Sequence, residues 1–128
     1  HSEDRYRIDF LKDAITRARE LGMRTVACAN DATTAQALAA FRPDMIAIEP
    51  PELIGGDISV STAQPEIITN TIAKVKQIAD IPVLCGAGVK TAEDVKIALE
   101  LGAKGILLAS GIVKAKDPEQ ALRDLVDF

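Results

Sequence analysis

Glu49 follows a short apolar run, Met45-Ile46-Ala47-Ile48, and precedes Pro50-Pro51 and then Gly55-Gly56. A carboxylate placed where a buried strand surfaces, beside a chain that is first stiff and then supple, suits a general base under a moving lid. The two prolines remove two backbone donors and stiffen the chain next to Glu49, as a hinge requires. Two further segments, Gly86-Ala87-Gly88 and Ala109-Ser110-Gly111, have the makings of an anion site. Small side chains leave backbone N–H groups uncovered, and such groups hold a phosphate without a basic side chain. Taken singly, each segment also reads as a tight turn, and Glu49 as a strand end meeting water. The combination is what points to a site.

These residues need elements to position them, and the chain supplies an alternation of helix and strand. Ile8, Leu11, Ile15 and Ala18 recur at helical spacing, and Gly22 ends that helix. Thr25 to Ala29 reads as a strand that ends at Asn30. An alanine-rich helix follows from about Thr33 to Phe41, and then the strand Met45 to Glu49. Ile68, Ile72, Val75 and Ile78 form the next helical stripe, before the strand Pro82 to Cys85. Thr91 is a good N-cap with Asp94 three residues on, and Val95, Ala98 and Leu99 give that helix an inner face. Gly105 to Ala109 is the last strand. Asp117-Pro118 opens a final helix with Leu122, Leu125 and Val126 inside. The joints Arg19-Glu20-Leu21-Gly22 and Leu99-Glu100-Leu101-Gly102 echo each other, as in a repeated helix-then-strand unit.

Composition agrees with such a fold. The 128 residues are enough for one compact region, residues 1–128, with its own core. That core must be aliphatic, because 48% of the residues are hydrophobic and only 3% aromatic. Apolar strands joined by helical crossovers imply a parallel sheet. A net charge of −4 with no basic patch argues against a nucleic-acid partner. No apolar run approaches the ~20 residues of a membrane span, and no signal peptide is visible. Cys28 and Cys85 both lie in apolar runs and read as small buried hydrophobes of a reducing compartment, the cytoplasm. A single His makes a Cys/His metal site improbable. On pattern alone two architectures stay open: a doubly wound sheet of flavodoxin type, and half of a (β/α)₈ barrel. A whole barrel needs at least ~200 residues.

At this point the residues resemble a known family. Glu49-Pro50-Pro51-Glu52-Leu53-Ile54-Gly55 is similar to the catalytic-loop motif of triosephosphate isomerases in their compact archaeal form. Cys85-Gly86-Ala87-Gly88 resembles that family's next loop, and Leu107 to Ala115 the one after it. His1-Ser2-Glu3 resembles the motif carrying the family's electrophile. The resemblance runs along the whole chain and implies the second half of a TIM (β/α)₈ barrel. It implies isomerisation of dihydroxyacetone phosphate to glyceraldehyde 3-phosphate, in glycolysis and gluconeogenesis, without cofactor or metal. By resemblance Glu49 is the base, His1 the neutral electrophile, and Glu3 an organiser of the site. Ile54, Gly88, Ala109 and Ser110 bind substrate, chiefly its phosphate. These roles belong to the family and are not deduced from this chain.

The resemblance also implies a missing first half, which in the family supplies an Asn and a catalytic Lys. No Lys here matches it, and Lys90 and Lys114 read as solvated. A chain starting at His1 is expected to be cleaved, truncated or a fragment. Its expected partners are the missing half or a second copy, in a dimer or tetramer of the full enzyme. The alternatives are a folded but inactive half-barrel, and half of another phosphate-binding barrel. Such barrels use Asp and Lys at strand ends and have no need of the Glu-Pro-Pro loop.

Overall fold

A computed structural model describes residues 4–54 and 59–128. Its four strands are β1 (Val26–Ala29), β2 (Met45–Ile48), β3 (Val83–Gly86) and β4 (Ile106–Leu107). They form one parallel sheet in the order β1-β2-β3-β4. This order decides between the two architectures. A doubly wound sheet reverses direction and places helices on both faces. Here each crossover adds its strand on the same side as the last, as in a barrel wall, so the flavodoxin-type alternative is excluded.

The helices are α1 (Ile8–Glu20), α2 (Ala32–Ala39), α3 (Val60–Ala63), α4 (Pro65–Lys76), α5 (Ala92–Glu100), α6 (Ser110–Val113) and α7 (Pro118–Leu125). The helix expected from about Thr33 starts at Ala32, where the Asp31 carboxylate accepts the Thr34 N–H, a cap the sequence reading did not single out. Two other starts follow the expected caps. Thr91 and Asp94 form a full capping box on α5, and Asp117 accepts the Gln120 N–H ahead of Pro118. The repeated Leu-Gly joint is a pair of Schellman motifs. Gly22 and Gly102 adopt φ of +70° and +100°. The following residues close the motif, Met23 N–H bonding to the Ala18 carbonyl and Ala103 N–H to that of Ala98.

Alternation along the strands sorts their side chains into two faces. Ala29, Ile46, Ile48 and Val83 point toward the helices and pack with Ala35, Leu38, Ala39 and Val75. Cys85 is on the same side and packs with Ile68, Val95, Ala98 and Leu125. The opposite face carries Cys28, Ala47, Glu49, Leu84 and Gly86, none of which belongs to either core cluster.

Several residues expected inside are exposed: Ile8 of α1, Ile78 beyond α4, Leu99 of α5, and Leu122 and Val126 around α7. The strand expected over Gly105–Ala109 is paired only at Ile106–Leu107. Ser110-Gly111, expected as an open turn, is instead the first turn of α6. Among the described residues no helix is long and apolar enough to cross a membrane.

Candidate active site

The carboxyl ends of the strands bring Asn30, Glu49, the Gly86–Gly88 turn and Ala109-Ser110 to one edge of the sheet. Glu49 continues the β2 ladder by donating its N–H to the Ala29 carbonyl at 2.8 Å. Ile48 pairs with Cys85, so the next pair along is Glu49 beside Gly86, both on the face opposite the core clusters. The Glu49 side chain fills the space a side chain at 86 would need. A Cβ there would stand 2.6 Å from Glu49 Cγ and 3.0 Å from Oε1. Gly86 is therefore the seat of the carboxylate.

Cys28 flanks Glu49 on the other side. Burial first, then the neighbouring Glu49 carboxylate, push its thiol up to about 11. The reading of Cys28 as a core hydrophobe is thus corrected. It is half-buried, on the face opposite the core clusters, beside a carboxylate. Cys85 does behave as expected: it is buried in the core, and burial pushes its thiol up to about 12. Glu49 Oε2 is buried and has no hydrogen-bond partner among the described residues. A carboxylate oxygen kept from water with a free lone pair is what a proton acceptor requires.

Beyond Glu49 the chain is held at its start. Pro50 is buried, and Pro51–Leu53 forms a 3₁₀ turn in which Leu53 N–H bonds to the Pro50 carbonyl at 3.0 Å. Leu53 packs on the second core cluster, and Ile54 is half-buried in an extended conformation. Of the expected lid tip, Ile54-Gly55-Gly56, the two glycines lie outside the described residues, as do His1 and Glu3.

The two small-residue segments differ. Ala87 and Gly88 have φ of +70° and +71°. The left-handed region costs an alanine about 1–2 kcal/mol, and such strain gathers where backbone groups must face a ligand. Ala109 and Ser110 instead open α6. Their position matches the short extra helix whose N-terminus holds phosphate in many barrels. The N–H groups of Ser110 and Gly111 have no acceptor within that helix. Lys90 and Lys114 are exposed, as expected.

Two features escaped the sequence reading. Ser59 and Ser61 are buried, and α3 is joined to Asp94 across the sheet's edge. Nothing local in Ser59-Val60-Ser61-Thr62 signals burial. A groove of about 460 Å³ runs beside β1, lined by Cys28, Asn30, Thr34 and Leu38 among others. It lies along the sheet's unpaired edge, two strands from the Gly88 turn, and marks open edge more than substrate space. Among the described residues no cluster of three or more His, Cys, Asp or Glu side chains could hold a metal.

Comparison with known proteins agrees with this geometry. The family model described as "Triosephosphate isomerase" matches residues 1–127. The triosephosphate isomerase of Methanocaldococcus jannaschii is 51% identical over 129 residues, covering 100% of this chain and 59% of the relative. That of Archaeoglobus fulgidus is 50% identical, covering 98% of this chain and 57% of the relative. The chain therefore spans little more than half the length of these relatives. In structure it is similar to the tryptophan synthase A-subunit of Pyrococcus furiosus, with a TM-score of 0.69 at 19% identity over 97% of this chain and 53% of that one. An archaeal fructose 1,6-bisphosphate aldolase gives 0.67 at 18% identity, over 91% and 49% of the two chains. At such identities these likenesses concern the fold alone.

Proposed function

Because the chain belongs to the triosephosphate isomerase family, we propose that it carries the base and the phosphate cradle of an enzyme interconverting dihydroxyacetone phosphate and glyceraldehyde 3-phosphate. The observation that carries this reading is the Glu49 carboxylate, seated on Gly86 with a buried, unpartnered Oε2, one strand from a strained small-residue turn.

In this reading Glu49 removes a proton from one carbon of the triose phosphate and returns it to the adjacent carbon. The electron pair passes through an enediolate. His1, neutral, polarises the carbonyl, donates to the developing oxyanion and recovers its proton; Glu3 helps to organise it. The backbone N–H groups of Gly88, Ala109 and Ser110 hold the phosphate, with Ile54 closing over it. Excluding water while the enediolate exists discourages loss of that phosphate. The parts played by His1 and Glu49 are the family's known ones. The reaction needs neither cofactor nor metal.

The relatives' additional length supports a further element: a preceding segment that completes the barrel and supplies the electrostatic partner absent here. The assembled enzyme works as a homo-oligomer in the cytoplasm, in glycolysis and gluconeogenesis. To test this, the chain is mixed with the preceding half of an archaeal relative and assayed for isomerisation. Activity should appear on mixing, and Glu49→Asp, which withdraws the base by one methylene, should lower turnover about 100-fold. Absence of any rate gain from a folded mixture would sink the proposal. An unchanged rate in the Asp variant would remove Glu49 from its role.

A further inference from the structure

Among the described residues no strand pairs with the outer side of β1 or of β4, and the backbone at both margins is aimed outward. The Thr25 and Ala29 carbonyls accept the Met45 and Glu49 N–H groups, so Thr25, Ala27 and Ala29 turn their polar groups toward β2. The alternation leaves the N–H and C=O groups of Val26 and Cys28 facing the open side. At the far margin the Gly105 carbonyl accepts the Cys85 N–H at 2.9 Å, which leaves those of Ile106 and Leu108 facing outward. All four strands run parallel, so the β4 margin of one molecule has the polarity that the β1 margin of another would take. An open edge of this kind is a template for a further strand.

Side chains set the register. Ala27 and Ala29 pack toward the helices, and so do Ile106 and Leu108. Laying Ile106 of a second molecule opposite Ala27 keeps helix-facing residues side by side, whereas a slip of one residue would turn them to the other face. The groove of about 460 Å³ beside β1 is the space such a strand would enter, with Ile8, Leu11 and Leu38 on its helix side. Apolar surface is exposed at both margins: Ile8 is 58% and Val26 41% accessible beside β1, and on α7 Leu122 is 55% and Val126 66% accessible. The curvature also fits. The strand order is that of a barrel wall, and the solved structures this chain resembles overlay on it with only about half of their own length.

We propose that a second copy of this chain docks edge to edge, β4 of each molecule entering the groove beside β1 of the other, so that a two-fold pair closes eight strands. The closed wall encloses the face that carries Cys28, Ala47, Glu49 and Leu84, so the surroundings of each Glu49 are incomplete without the partner copy. A stable pair buries roughly 1,200–2,000 Å², and two-fold symmetry forms the seam twice, so each seam supplies about half of that. The inference does not rest on the isomerase reading. A preceding segment of the kind the relatives possess would use the same margins, so the two occupants exclude each other.

The test is sedimentation of the full chain at micromolar concentration, where the unmodified chain should run as a dimer. Val26→Lys puts a charge on the face to be enclosed and should weaken association about 100-fold or more. Val26 is exposed in the single molecule, so this variant should keep its fold, which circular dichroism checks. Leu122→Lys probes the other margin from an exposed position on α7 and should also favour the monomer. Phe10→Ser removes a side chain that is 57% accessible but does not line the groove, and should leave the dimer intact. Adding the preceding half of an archaeal relative should split the pair. A monomeric unmodified chain, or a dimer that persists in either Lys variant, overturns the proposal. So does a dimer lost in Phe10→Ser, or a relative's half that joins the pair without splitting it.

Discussion

Replacing Gly86 with alanine adds one methyl group at the seat of the proposed base. The new Cβ would stand 2.6 Å from Glu49 Cγ, 3.0 Å from Oε1 and 3.3 Å from Cδ. Comfortable carbon contacts begin near 3.5 Å, so the overlap with Cγ is about 1 Å. The backbone at 86 is not in the left-handed region, so alanine fits there and the conflict lies with Glu49 alone. A half-buried, flexible side chain yields before two paired strands do. The expected stability cost is that of a strained rotamer, about 1 kcal/mol. A base displaced by about 1 Å should lose about 100-fold in turnover, or about 2.7 kcal/mol of barrier. Two assays read this. Isomerisation by the chain mixed with the preceding half of an archaeal relative reports the base. Thiolate absorbance of Cys28 reports where the carboxylate went, whether or not the assembly is active. Moving Glu49 away leaves burial as the main force on that thiol, so its titration should fall from about 11 toward the ordinary 9.0. A Gly86→Ala protein with unchanged turnover and unchanged Cys28 titration would refute the idea that Gly86 places the base.

The two thiols should be unusually slow to alkylate. With Cys28 at about 11, its thiolate fraction at about pH 8 is roughly 100-fold below that of a free thiol; labelling at the free-thiol rate would contradict its burial against Glu49. Asp31→Ala should destabilise the chain by about 0.5–2 kcal/mol in urea unfolding, because Thr34 loses its cap. The sign with pH follows from the Asp31 carboxyl, lowered below 3.8 chiefly by the Thr34 N–H. The gap between wild type and variant should be complete above 3.8 and close as pH falls through the depressed folded value. A gap independent of pH would show that the charge is not involved. Gly22→Ala should cost about 1 kcal/mol from its positive φ alone, since nothing lies within 4 Å of the new methyl. Gly102→Ala should cost more, because Ile72 Cδ1 sits 3.3 Å away; equal losses in thermal melts would argue against the contact.

The parts of this fold that were legible in advance are those governed by neighbours in sequence. Thr91 with Asp94, and Asp117-Pro118, start helices because a side-chain oxygen three residues from an unpaired N–H can reach it in any context. Gly22 and Gly102 end helices because the reversal needs a left-handed residue. The candidate base was legible for the same reason, as a carboxylate directly after a four-residue apolar strand. Helix faces were less so. Leu122 and Val126 have the spacing of an inner stripe, yet only Leu125 is buried, because burial depends on what the sheet places opposite.

From the sequence alone came the order of the elements, their caps, and the residues able to do chemistry at strand ends. These follow from interactions within a few residues, which any folded context preserves. Tertiary structure decided the strand order, which excludes the doubly wound alternative, and the face on which each strand residue falls. An apolar run such as Val26-Ala27-Cys28-Ala29 reads the same whichever side is buried. Only the pairing of Cys28 with Ala47 and of Ile48 with Cys85 places Cys28, Glu49 and Gly86 on one face. Asp94 shows the same division: its cap spans three residues, but its bond to Thr62 spans 32, and no local rule reaches that far.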